Sequence, residues 1–108
     1  YVYFQLWNVF GTAPLITERV QTTDKITPPS SSGTQLLDQA ITDLQAAATL
    51  LPASWNAANL GRATQNSANA LLGKALVFRA SATNTNADYT AAIQAFDKIT
   101  GRQLVADF

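Results

Sequence analysis

The 108-residue sequence contains no cysteine, histidine or methionine, and its only glutamate is Glu18. Without cysteine these residues can form neither a disulfide nor a thiolate metal site. Without histidine they supply no imidazole ligand and no Ser-His-Asp or Cys-His catalysis. Charge is scarce as well: 13% of residues are Asp, Glu, Lys or Arg, about half the usual ~25% of a globular protein. Seven basic and seven acidic side chains cancel to a formal net charge of zero, which removes the electrostatic footprint of a nucleic-acid binder. No run reaches the ~18 apolar residues of a membrane span, and no basic-then-apolar signal peptide opens the chain. Ala, Thr, Asn, Gln and Ser fill the space, giving a surface that is polar but nearly uncharged.

The chain opens directly in an aromatic-rich stretch, Tyr1-Val2-Tyr3-Phe4-Gln5-Leu6-Trp7-Asn8-Val9-Phe10. Tyr3, Trp7 and Phe10 recur at i, i+4, i+7, one face of a helix. Such a stripe serves either as a stacking platform for sugars or bases or as a helix packed into a core. The second use is favoured because helical aromatics are usually buried. An aromatic helix here, with Leu104-Val105-Ala106-Asp107-Phe108 at the other end, leads us to expect a single helical region, 1–108, forming part of a larger domain. Gly11 has the place of a helix-ending glycine. Residues 11–33, with Pro14, Pro28, Pro29 and a Ser30-Ser31-Ser32-Gly33 run, are expected to form a long surface connection.

Four helices are expected, over about 1–10, 34–51, 65–82 and 88–100. Ser32 with Gln35 three residues on has the form of a capping box. Behind it Leu36, Leu37, Ala40, Ile41, Leu44, Ala47, Ala48 and Leu51 recur at helical spacing, and Leu51-Pro52 closes the element. Thr64 is the next N-cap. It precedes a helix apolar on two sides, with Ala68, Leu71, Leu72, Ala75, Leu76 and, at the same spacing, Arg79 on one and Ala70, Val77 and Phe78 on the other. Such a helix is sandwiched between neighbours, and Ala68, Gly73 and Ala75 permit close backbone approach. Asp88 is expected to cap the last helix, which presents Tyr89, Ala92, Ile93, Phe96 and Ile99 before Gly101. No segment alternates with a two-residue period, so the class is all-α. Leu72-Gly73-x-x-Leu76 followed by Ala92-x-x-x-Phe96-x-x-Ile99 echoes a tetratricopeptide skeleton, with the two halves about seven residues too far apart. The expected architecture is antiparallel helix pairs in a degenerate tetratricopeptide-like array.

Few residues suggest chemistry. Asp38 and Asp43 lie about 140° apart around a helix and do not converge. Asn84-x-Asn86-x-Asp88 has the alternating oxygens of a calcium loop, but Tyr89 replaces the glycine and Ala95 the bidentate glutamate. Arg62, just before a helix N-terminus, opposes the macrodipole and is expected to pair with Asp43 as a structural clamp. Trp55-Asn56, an aromatic face beside an amide in a polar loop, suits sugar recognition, and these two are the candidate ligand contacts. A Trp folded over the helix ends is the competing use of the same residue, and the favoured one. No catalytic residue, metal ligand or cofactor is expected.

Three stretches together resemble the SusD/RagB family. Tyr3-Phe4-Gln5-Leu6 with Phe10-Gly11-Thr12-Ala13-Pro14-Leu15-Ile16 is similar to its aromatic opening and following Pro-Leu-Ile. Ile41-Thr42-Asp43-Leu44-Gln45-Ala46-Ala47 with Leu51-Pro52 matches its second helix. Gly61-Arg62-Ala63-Thr64 leading to Ala70-Leu71-Leu72-Gly73-Lys74-Ala75-Leu76-Val77-Phe78 matches its third. Thr12 and Ala13 depart from the usual Asp-Val. The resemblance implies a non-enzymatic surface lipoprotein of the outer membrane that binds glycans or other nutrients. It further implies a partnership with a SusC-like TonB-dependent transporter and a membrane tie only through a lipid anchor outside this segment. Family members are several times longer, so this stretch would be an internal slice of their helical scaffold. The alternative is a soluble tetratricopeptide-type adaptor that binds a partner peptide in a helical groove.

Overall fold

The computed structural model describes residues 1–20 and 27–102; Asp24, Lys25 and the apolar end Leu104 to Phe108 lie outside the described residues. The described residues form four α-helices: α1 (Val2–Phe10), α2 (Gln35–Leu50), α3 (Gln65–Thr83) and α4 (Asn86–Asp97). A 3-10 turn covers Ala57–Asn59. A lone bridge between Pro14 and Ser30 is the one piece of β pairing among them. The class is all-α, as expected.

Helix α2 buries Leu36, Leu37, Ala40, Ile41 and Leu44, one stripe of a 3.6-residue period. Its exposed side carries Thr42, Asp43 and Gln45. The N-cap is Thr34 rather than Ser32. Half of the expected capping box forms, since the Ser32 backbone N–H donates to Gln35 Oε1 at 2.8 Å. The start is displaced because Gly33, at φ 54°, turns the chain in the left-handed region that glycine tolerates. The Trp7 indole N–H holds the Gly33 carbonyl in that turn at 3.0 Å. Leu51, extended ahead of Pro52, closes the helix.

Helix α3 starts where expected. The Thr64 hydroxyl accepts from the Ser67 N–H while the Ser67 hydroxyl accepts from the Thr64 N–H. Ala68, Asn69, Leu72, Gly73, Ala75, Leu76 and Ala80 are all buried, so this helix is covered on more than one side. The expected second side is not the covered one: Ala70 and Val77 are exposed and Phe78 is half-buried, because α4 docks over Gly73 instead. Leu72, Ala75 and Leu76 share a core with Leu37, Ile41 and Leu44 of α2. At Gly73 the ring of Phe96 from α4 lies so close that an added Cβ would fall 2.5 Å from it. The helix ends at Asn84, whose φ of 59° is tolerated better by Asn than by most residues.

Helix direction follows from the polar links between ends. Arg79 near the end of α3 reaches Asp38 at the start of α2, and Gln65 at the start of α3 donates to the Ala48 carbonyl near the end of α2. Arg79 also reaches Asp88 in the first turn of α4, whereas Asn66 at the start of α3 bonds Thr100 beyond the end of α4. Both pairs are therefore antiparallel.

Helix α4 is displaced from the expected 88–100. It starts at Asn86 with Thr85 as N-cap, because the Asp88 carboxylate is engaged by Arg79 rather than by its own helix. It stops at Asp97, three residues short, because the Asn66 side chain takes both the N–H and the carbonyl of Thr100.

Helix α1 packs on the pair through Phe4, which is 1% exposed and meets Phe78 edge-on with centroids 5.3 Å apart. The expected Tyr3-Trp7-Phe10 stripe is divided: Tyr3 and Trp7 are half-buried, while Phe10 is exposed. The reason lies in their polar tips. Tyr3 donates its hydroxyl to the Ile16 carbonyl and Trp7 its indole N–H to Gly33, tying both ends of the 11–33 connection to α1. Phe4, with no polar atom, takes the deepest position. A Ser31 N–H to Ala13 carbonyl bond of 2.9 Å draws the two arms of the connection together. Full burial of Phe4, Leu36 or Leu37 contributes about 1.5–3 kcal/mol each.

A substitution pair tests the close approach of α3 and α4. Gly73→Ala alone displaces the Phe96 ring, offsetting the helix-propensity gain of about 1 kcal/mol. In a Phe96→Ala background the same change stabilises the protein. Urea denaturation of the four variants should give a coupling energy of about 1 kcal/mol. Additive effects would show that the ring does not rest on Gly73.

Candidate functional site

Two polar clusters stand out where helices end. In the first, Arg79 Nε and Nη2 donate to the two oxygens of Asp88 at 2.8 and 2.7 Å, a two-pronged grip, while Nη1 donates to Asp38 at 2.9 Å. The fork of a guanidinium suits this geometry. The Asp88 side chain is 13% exposed, that of Arg79 25% and that of Asp38 47%. The Asp88 hydrogen bond, opposed by partial burial, holds the Arg79 pKa above its ordinary value. The reciprocal bond holds the Asp88 carboxyl below the usual range. Both carboxylates are thus committed to one cation that ties α2, α3 and α4 together, an arrangement suited to fixing helix register.

The expected clamp between Arg62 and Asp43 does not form. Arg62 lies over the Trp55 ring, its Cζ 5.5 Å from the centroid, and Asp43 accepts from Gln39 one turn earlier on α2. Clamping falls to Arg79 instead, which sequence reasoning missed because its spacing joins the apolar stripe of α3. The findable signal was its place in the last turns of a long helix, with Asp88 just across the following turn.

The second cluster holds the sequence-derived candidates. Trp55 donates its indole N–H to the Ala63 carbonyl at 2.8 Å, bringing the two ends of the 53–63 loop together. The guanidinium of Arg62 covers the ring as a cation–π partner. Asn56 accepts from the Asn59 side chain at 2.8 Å, across the 3-10 turn. Trp55 and Asn56 are thus adjacent in the fold as in the sequence, with Asn56 exposed and Trp55 partly so. A second cation–aromatic group, missed in the sequence, has Lys74 5.6 Å from the Phe4 ring centroid and 5.9 Å from that of Phe78. These clusters can offer hydrogen bonds, stacking and positive charge. Among the described residues no group of three His, Cys, Asp or Glu side chains could hold a metal ion, and no helix is long and apolar enough to cross a membrane.

Comparison with known proteins finds both a family and a solved structure similar to this chain. The model of the SusD-like_3 family, described as "Starch-binding associating with outer membrane", matches residues 1–80. A SusD-like protein from Bacteroides fragilis, known from a crystal structure, superposes with a TM-score of 0.79 at 27% identity. The match covers 95% of this chain and 19% of that one, so the chain spans about a fifth of that protein's length. No curated protein matches the chain.

The Arg79 clamp sets an acid limit on stability. A carboxyl whose folded pKa is depressed stabilises the fold above its unfolded pKa, near 3.9 for Asp, and that contribution is lost as pH falls through the lower folded value. Stability should therefore drop below about pH 4. Arg79→Met should lower the unfolding free energy at pH 7 by about 1–3 kcal/mol and make the acid limb shallower. An acid limb identical to that of the unsubstituted protein would exclude this role for Asp88.

Proposed function

Because this chain belongs to the SusD-like family, we propose that it forms helical scaffold in a non-catalytic nutrient-capture protein of the outer membrane. The observation that carries this reading is the family match across α1, α2 and most of α3. The bound nutrient is a glycan. The protein acts beside a SusC-like TonB-dependent transporter, on the extracellular face, held by a lipid anchor outside these residues.

The distribution of apolar surface supports a scaffold role. Val2, Val9 and Phe10 on α1 are each at least 65% exposed, and Tyr89, Ile93 and Phe96 on α4 are also exposed. A stacked helical array covers such faces with further helices and reserves polar faces for its ends. We therefore place this region inside a larger SusD-like domain. Trp55 and Asn56 remain the candidate ligand contacts, with the Trp55 indole N–H already given to Ala63 and its ring covered by Arg62.

The test uses the protein that carries this chain. Affinity electrophoresis through gels containing soluble starch should retard it, incubation with starch should release no reducing sugar, and detergent extracts should yield it together with a large outer-membrane barrel. Trp55→Ala should weaken retardation without changing the far-UV circular dichroism spectrum. Unretarded migration through starch and every other glycan tried would sink the capture reading, and sugar release would make the protein an enzyme. Recovery without a barrel would remove the transporter.

A further inference from the structure

We infer that the cleft between the end of α2, the first two turns of α3 and Lys98 binds a small carboxylate that also carries hydroxyl or amide hydrogens. The cleft encloses about 660 Å³, within the range of ligand pockets. Its walls are Gln45, Ala48 and Thr49 from α2, Gln65, Asn69 and Leu72 from α3, and Lys98. Three side-chain amides and a hydroxyl surround a small apolar floor of Ala48 and Leu72.

Asn69 is the feature that packing leaves unexplained. It is 2% exposed, its Nδ2 donates to the Gln65 carbonyl at 3.1 Å, and its buried Oδ1 has no hydrogen-bond partner. Leaving a buried acceptor unmatched costs about 1–3 kcal/mol, and an apolar residue would fill the same volume without that penalty. The terminal torsion of an Asn side chain is broad, so a modest turn presents the oxygen to a donor in the cleft. The Gln45 side chain forms no hydrogen bond among the described residues, so its amide is also available.

Charge defines the rest of the ligand. Lys98 is the only charged residue of the lining and forms no ion pair among the described residues. The first turn of α3, which borders the cleft, carries no acidic side chain, so the positive end of that helix dipole adds to the same sign. A carboxylate answers Lys98, and hydroxyl or amide hydrogens answer Asn69. The lining has no aromatic ring on which a neutral sugar would stack. Acidic sugars and the C-terminal ends of short peptides share this chemistry.

The experiment titrates the protein, by calorimetry, with a galacturonic acid disaccharide and with trialanine. Maltose and N-acetylated, C-amidated trialanine serve as controls without a carboxylate, and N-acetylated trialanine separates the carboxylate from the amine. At least one carboxylate should bind, its control should bind tenfold or more weakly, and Lys98→Gln should erase that difference. Asn69→Ala should weaken the same ligand several-fold without lowering the melting temperature. Binding of the disaccharide alone assigns the site to acidic sugars, and binding of trialanine alone assigns it to peptide ends. No carboxylate binding, or carboxylate binding indifferent to Lys98→Gln, overturns the inference. Starch retardation with an inert cleft would overturn it while leaving the nutrient-capture reading in place.

Discussion

Helix α3 has to be covered on more than one side, and the rest of the molecule follows from meeting that requirement with small residues. Its buried positions hold Ala68, Gly73, Ala75 and Ala80 beside only two leucines, Leu72 and Leu76. Small side chains bring neighbouring backbones close, so α2 and α4 dock against α3 through short-range dispersion contacts rather than a thick layer of bulky groups. The Phe96 ring over Gly73 is the tightest instance. Bulky apolar residues gather instead where α1 crosses the pair, with Phe4 and Trp7 both edge-on to Phe78.

Packing of this kind leaves register poorly defined, since alanine faces slide past one another with little change in buried area. Polar links at the helix ends supply what the core lacks. Arg79 fixes the starts of α2 and α4 against the end of α3, while Gln65 and Asn66 fix the opposite ends. In a chain with few charges, two of the six aspartates are committed to this one arginine. The same logic holds the 11–33 connection, where Tyr3 and Trp7 act as donors as much as apolar surface. Directional bonds at a few points thus determine the arrangement of contacts that are themselves non-directional.

The functional reading rests on the same architecture. A scaffold with exposed apolar faces on α1 and α4 suits stacking within a larger array, and its lightly charged, amide-rich surface suits ligands recognised by hydrogen bonds. The 53–63 loop, closed by Trp55 onto Ala63, and the amide-lined cleft beside Lys98 lie at the same end of the α2–α3 pair. The clamp of Arg79 lies at the other, so the elements that set helix register and those available to a ligand are separated along the helices.

Sequence alone determined the helical class, the number of long helices, the Thr64 cap and the Ala68-Leu72-Ala75-Leu76 face of α3, but not its second buried side, since Ala70 and Val77 are exposed. Each of these depends on residues within one or two turns, where a 3.6-residue period or a capping side chain acts directly. The family resemblance was legible for the same reason, being carried by local motifs of aromatic, Pro-Leu-Ile and Gly-Arg-Ala-Thr type. Tertiary structure decided the rest. It assigned Asp88 to Arg79 instead of to its own helix, turned Arg62 onto Trp55 instead of Asp43, ended α4 early through Asn66, and left Asn69 buried with half an amide unused. Those outcomes turn on which side chains from distant turns arrive within about 3 Å of one another, a quantity that no spacing along a single helix contains.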